Sequence, residues 1–212
     1  MEYLAQIDTF SRLSRVSRET ITSLIKYEKL LIKYNEKLNL IGKSTEKNIW
    51  HRHFLDSVQV IDFISKNDKS LVDIGSGAGF PGLVLAIASK DRKLPLKIKL
   101  IEKSIKKTKF LKKIIKELNL NVTVINENIL ESKKKLTDKV FVARAFKPLK
   151  IILELMHNKA ENLEKFFIFL GKTGKSELLQ ASKSWEIKYK QRVSITNSDS
   201  IVIEINGLKK IN

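Results

Sequence analysis

The segment Leu71-Val72-Asp73-Ile74-Gly75-Ser76-Gly77-Ala78-Gly79-Phe80-Pro81-Gly82 constrains this chain more than any other. A short apolar run is followed at once by three alternating glycines and then by Pro81. Proline is tolerated in the first turn of a helix, where the N–H it lacks would be unpaired anyway. Strand, glycine turn and helix in that order predict the first βα unit of a parallel sheet. Glycine admits backbone dihedrals closed to other residues and lets a ligand approach the main chain. Such a loop at the carboxyl end of a strand lines a ligand crevice in open α/β sheets.

The flanking sequence extends the pattern. Short apolar runs at 71–74, 98–101, 122–125, 140–143 and 166–170 alternate with helical periodicity at 81–89, 104–118, 148–163 and 176–184. That alternation predicts a mostly parallel, Rossmann-like sheet with helices on both faces. Two further strand-like runs, 185–195 and 201–205, are joined by the polar turn Thr196-Asn197-Ser198-Asp199-Ser200, which predicts a C-terminal antiparallel hairpin and seven strands in all. Upstream, Ile21, Leu24, Ile25, Leu31, Ile32 and Leu38 fall on one helix face. A second helix is expected after Ser44 or Thr45, carrying Ile49, Trp50, Phe54, Val58 and Ile61. Lys66-Asn67-Asp68-Lys69 is a polar break. The reading is an α/β chain with an N-terminal helical extension, 1–66, and a nucleotide-binding domain, 67–212.

Charge narrows the partners. Lys and Arg number 41 against 23 Asp and Glu, a net charge of +18. A field of that sign concentrates polyanions, nucleic acid first and anionic membrane second. Only seven of the 41 are Arg, and Ile and Asn are plentiful, so the amino-acid bias of an AT-rich genome accounts for part of the excess. The chain has no cysteine, which excludes a disulfide scaffold, a cysteine metal site and a cysteine nucleophile. No apolar run approaches the ~20 residues of a membrane-spanning helix. Residues 1–10 lack the pattern of a secretory signal, so a cytoplasmic protein off the membrane is expected. His53 and Asp56, three apart, share a helix face, while His51 and His157 add no ligand spacing. A His53–Asp56 contact that locks the helices onto the sheet is expected there, and no metal.

The loop also contains Gly77-x-Gly79-x-x-Gly82, the dinucleotide fingerprint, which keeps NAD and FAD open as ligands. Glu102 ends the 98–101 strand, where a carboxylate can accept both ribose hydroxyls of either cofactor type. Asp73 inside the strand, and a Gly-x-Gly-x-Gly alternation that starts at Gly75, resemble the first motif of class I S-adenosylmethionine-dependent methyltransferases.

The resemblance sharpens when other segments are added. Lys33-Tyr34-Asn35-Glu36-Lys37-Leu38-Asn39-Leu40-Ile41, Arg52-His53-Phe54-Leu55-Asp56-Ser57, Phe80-Pro81-Gly82, Lys106-Lys107-x-Lys109-Phe110-Leu111 and Arg144-Ala145-Phe146 occur in order. From about Tyr27 to the end the chain resembles the RsmG (GidB) family, bacterial 16S ribosomal RNA guanine-N7 methyltransferases. The resemblance implies S-adenosylmethionine as cofactor, held by Asp73, Gly75, Gly77, Gly79, Phe80, Glu102, Ile129, Leu130 and Arg144. It implies methyl transfer to N7 of a guanine in the decoding region of 16S rRNA, on the RNA or the small ribosomal subunit; a monomer is the default expectation. Guanine N7 has a free lone pair, so no general base is expected. The enzyme's task is alignment, with Arg144 positioning base or phosphate and Lys106, Lys107 and Lys172 on the RNA. Phe80 and Phe146 could stack on a base or fill core. The pattern departs from the family at two places. Asp199 stands near an expected cation before the last strand, and Gly171-Lys172 inverts an expected Lys-Gly. Alternative readings are a class I methyltransferase of other RNA, protein or small molecules, a nicotinamide-dependent oxidoreductase, and a non-catalytic RNA binder.

Overall fold

The computed structural model describes residues 3–211. Seven strands form one sheet: β1 (Ser70–Ile74), β2 (Lys97–Glu102), β3 (Val122–Asn126), β4 (Val140–Arg144), β5 (Lys165–Leu170), β6 (Trp185–Ser194) and β7 (Asn197–Lys210). Their order is β3-β2-β1-β4-β5-β7-β6, with β1 to β5 mutually parallel and β7 antiparallel to both β5 and β6. The order reverses between β1 and β4, so the carboxyl ends of these strands flank a crevice, the place where open α/β sheets bind ligands.

Helices α1 (Tyr3–Ser14) and α2 (Arg18–Leu38) lead the chain. Two short turns follow, α3 (Lys43–Glu46) and α4 (Asp56–Val58), and then α5 (Gly82–Ser89), α6 (Ile105–Glu117), α7 (Leu149–Lys159) and α8 (Gly174–Ala181). Successive strand side chains point to opposite faces, and the core divides accordingly. Leu71, Leu100, Val140 and Val142 face α5, α6 and the N-terminal helices. Val72, Ile74, Phe141 and Ala143 face α7 and α8. The N-terminal helical segment therefore shares a core with the sheet. Phe10, Tyr27, Trp50 and Phe54 are fully buried in it, each worth about 1.5–3 kcal/mol of apolar burial.

Three local expectations change. The buried stripe of α2 runs through Leu24, Tyr27, Glu28, Leu31 and Asn35, while Ile32 is exposed. Periodicity alone missed this because Glu28 and Asn35 are polar but satisfied: Glu28 accepts from Tyr3 and Trp50, and Asn35 Oδ1 accepts from the Ile41 N–H. The second helix is not continuous. After α3 the chain widens into a π-helix over Trp50–Leu55, a form that recurs at functional sites. The hairpin turn is also shorter than its polar composition suggests, since Asn197 already pairs with Ser194.

Candidate functional site

The glycine loop is held from below at nearly every residue. The N–H groups of Gly75 and Ser76 both donate to the Ile101 carbonyl, at 2.9 and 3.1 Å, and Ser76 Oγ donates back to the Asp73 carbonyl at 3.1 Å. Gly75, Gly77 and Gly79 all have positive φ, +74°, +57° and +100°. At Gly75 the requirement is double, because a Cβ there would also overlap the Phe146 ring. A Cβ on Gly82 would strike Leu100 and Asp73, so this glycine lets α5 sit close on the sheet.

Above the loop lies a cavity of about 440 Å³. Gly75, Gly77, Phe80, Glu102, Ile129, Leu130 and Arg144 line it, so most of the residues expected around a cofactor come together. Lys107 reaches its wall, and so do Lys103 and the 40–42 segment before α3. Glu102 is fixed by two N–H groups, Gly77 onto Oε2 at 2.9 Å and Ser104 onto Oε1 at 2.8 Å. Each oxygen keeps a lone pair for a further donor.

Asp73 and Gly79 do not line this cavity. Asp73 is wholly buried beneath the loop, where Oδ2 accepts the Gly82 N–H at 2.9 Å and Oδ1 has no partner. Burial pushes its carboxyl up to about 7, against the opposing hydrogen bond from Gly82. Gly79 faces Tyr27 and Leu83 instead. Sequence reasoning missed Tyr27 as a site residue. Its hydroxyl donates to the Ala78 carbonyl at 2.5 Å, and its ring stacks on Phe80 at 5.6 Å. The available signal was a tyrosine between Leu24 and Leu31 on a buried helix face, which reads as core packing.

The expected His53–Asp56 contact is replaced by a three-residue arrangement around Arg144. Arg144 Nη1 donates to Asp56 Oδ2 at 2.9 Å and to the Arg52 carbonyl at 3.1 Å, while Nη2 donates to His53 Nδ1 at 2.9 Å. The π-helical turn Trp50–Leu55 presents the Arg52 carbonyl and His53, and the first residue of α4 presents Asp56, to one guanidinium. Because Nδ1 accepts, the neutral ring carries its proton on Nε2, which donates to Thr45 Oγ1 at 2.8 Å; that hydroxyl donates on to the Gly42 carbonyl at 2.8 Å. Burial and the Arg144 charge lower His53 to about 3, so it is neutral at pH 7. Phe80 completes the cluster, stacked on His53 at 4.9 Å and beneath the guanidinium at 5.1 Å. Phe146, half-buried, rests against Gly75 and lines the cavity.

The family model for GidB, rRNA small subunit methyltransferase G, matches residues 20–202. The chain belongs to that family. Relatives named ribosomal RNA small subunit methyltransferase G include a Pelagibacter ubique protein, 40% identical over 93% of each chain, and a Rickettsia prowazekii protein, 38% identical over 93% of this chain and 99% of that one. Among solved structures, an Aquifex aeolicus SAM-dependent methyltransferase matches with a TM-score of 0.57 at 15% identity, covering 77% of this chain and 94% of that one. M. capricolum TrmK, solved with S-adenosyl-homocysteine, matches at 0.52 and 22%, covering 71% and 66%. At these identities the structural matches speak for the fold. The remaining cationic residues divide. Lys107 is at the cavity wall, Lys106 is exposed on α6 outside it, and Lys172 sits on the loop after β5 with Nζ 3.8 Å from Asp199. Asp199, near where a cation was expected, thus faces Lys172. No cluster of metal-ligating side chains occurs among the described residues, and no helix among them is long and apolar enough to cross a membrane.

Proposed function

We propose that this chain transfers the methyl group of S-adenosylmethionine to N7 of a guanine in the decoding region of 16S rRNA. The observation that carries the reading is the glycine-loop cavity, lined by both Glu102 and Arg144. Its residues fit the cofactor. Glu102 has acceptor capacity for ribose hydroxyls, Ile129 and Leu130 offer an apolar wall for adenine, and Gly77 leaves backbone open to the ligand, since a Cβ there would meet almost nothing. About 440 Å³ lies within the range of small-ligand sites. Asp73 acts at one remove, by holding the Gly82 N–H below the loop.

When bound, the cofactor supplies an electrophilic methyl group on a sulfonium. The protein's share is alignment of the nucleophile, which can supply much of the barrier reduction for a displacement. Attack by guanine N7 leaves no proton to remove. His53 matches that requirement, because both ring nitrogens are engaged in holding Arg144 and Thr45. Arg144 has five N–H groups and spends three on Arg52, Asp56 and His53, which leaves two for guanine O6 or a phosphate. Lys106, Lys107 and Lys172 would meet RNA phosphates, so binding should weaken as salt rises. The reading includes a cytoplasmic monomer acting on 16S rRNA or the small subunit, with 1–66 as a helical extension of the 67–212 catalytic domain. Tritium transfer from labelled S-adenosylmethionine into small subunits from a strain lacking this protein tests it. Label in 16S rRNA supports the proposal, and its absence from subunits, precursor particles and naked rRNA overturns it.

A further inference from the structure

A second cavity, of about 300 Å³, adjoins the first and shares His53, Arg144 and Ala145 with it as a common wall. Its far side is built by Arg52, Phe169, Asn197 and Ser200, from the π-helix, β5 and the terminal hairpin. We infer that this cavity receives the acceptor guanine, and that Arg52 and Asn197 select it; the inference rests on the RNA-methylation reading above.

The donors and acceptors decide for guanine. RNA enzymes and readers take splayed-out bases, stack them on aromatic side chains and bind their edges. Guanine must leave N7 bare to react, while O6 needs a donor and the N1–H and N2 amino groups need acceptors. The Arg52 guanidinium and the Asn197 amide nitrogen donate to nothing among the described residues, and two Arg144 N–H groups are also unspent. Asn197 Oδ1 accepts one bond, from the Asp199 N–H at 3.0 Å, and keeps a second lone pair. Ser200 adds a hydroxyl, and Phe169 an aromatic surface. Adenine would place an amino group against these donors where guanine places O6. The other cavity bordering the first, beyond Ala145 and Phe146, includes none of Arg52, Arg144 and Asn197 in its lining. Its carboxylate, Glu177, accepts from the Leu149 N–H and the Thr173 hydroxyl, one on each oxygen.

The Arg52 side chain is exposed and its structural contact is through the backbone carbonyl, so Arg52→Ala spares the fold. Asn197→Asp keeps the acceptor toward the Asp199 N–H and exchanges the amide donor for a carboxylate oxygen, with one added negative charge. Steady-state methylation of unmodified small subunits, S-adenosylmethionine affinity by calorimetry, and the salt dependence of subunit binding are measured for both variants. We expect kcat/KM to fall about tenfold or more for each, with cofactor affinity and the salt slope at wild-type values, as for lost base contacts. Wild-type kcat/KM in both variants overturns the assignment while the methylation reading stands. A uniform loss with a salt slope smaller by about one for Arg52→Ala also overturns it, because that is a phosphate contact. An inactive wild-type enzyme on every rRNA substrate overturns the methylation reading, and this assignment with it.

Discussion

Arg144 Nη1 lies 2.9 Å from Asp56 Oδ2, joining the end of β4 to the start of α4, directly after the π-helical segment. The other oxygen of Asp56 accepts from Gln59, Ser194 and Thr196, at 2.9, 3.1 and 2.9 Å. One carboxylate thus ties the helical segment, the parallel sheet and the terminal hairpin together beside the cavity. Asp56→Asn leaves the guanidinium without its counter-charge in a place where both side chains are mostly shielded from water. Urea denaturation should show a loss of about 2–3 kcal/mol, the scale of a charged hydrogen bond. Methyl transfer should fall about tenfold or more, through Arg144 orientation. Wild-type stability and rate would mean that the pair positions nothing.

Tyr27 supports the loop from outside the sheet. Tyr27→Phe keeps the ring stack on Phe80 and deletes only the hydroxyl that donates to Ala78. The cost should be about 1–2 kcal/mol in chemical denaturation, since a buried carbonyl loses its donor. Cofactor affinity should weaken several-fold by calorimetry, while a purely structural hydroxyl would change stability and leave affinity alone.

His53 makes stability depend on acid. Unfolded, it binds a proton below about 6.5; folded, it resists protonation until about 3, through burial and the neighbouring Arg144 charge. The unfolded state therefore holds the extra proton in that window, and folding stability falls as pH drops through it. The stability difference between wild type and His53→Asn should shrink as pH falls from 6.5 toward 3. A difference constant across that range contradicts a neutral His53.

Asp73 runs the opposite way. Its folded carboxyl keeps its proton up to about 7, against an ordinary 3.8, chiefly because it is buried. Between those values the folded state holds the extra proton, so its contribution is complete below 3.8 and is lost as pH rises to about 7. Asp73→Asn retains an oxygen for the Gly82 N–H and removes the titration. Thermal melts should show the variant gaining on wild type from pH 4 to 7 and holding level above. A gap that does not change with pH places the Asp73 carboxyl at its ordinary value.

Much of this architecture is written locally. Strands β1 to β5 and helices α5 to α8 appear within a few residues of the apolar runs and helical periods that announce them, because each buries a contiguous apolar set. The loop residues Gly75 and Gly77 and the acid Glu102 were legible for the same reason: backbone requirements and strand ends are local. The Arg144 clamp was not. Its partners lie 88 to 92 residues away, brought within reach by a π-helical turn that no periodicity signals. Tyr27 was hidden because packing and loop support use the same side chain. Asp73 was expected among the cofactor residues, but it lies beneath the loop, a place that depends on the close approach of α5, which only the fold sets.

Mass mapping of methylated guanines in 16S rRNA, with and without this protein and after in vitro treatment of the unmodified subunit, tests methyl transfer most directly. We expect one decoding-region guanine to gain a single methyl at N7, and Arg144→Ala to abolish that gain. Unchanged rRNA, or a methyl on another atom or another class of molecule, would contradict it.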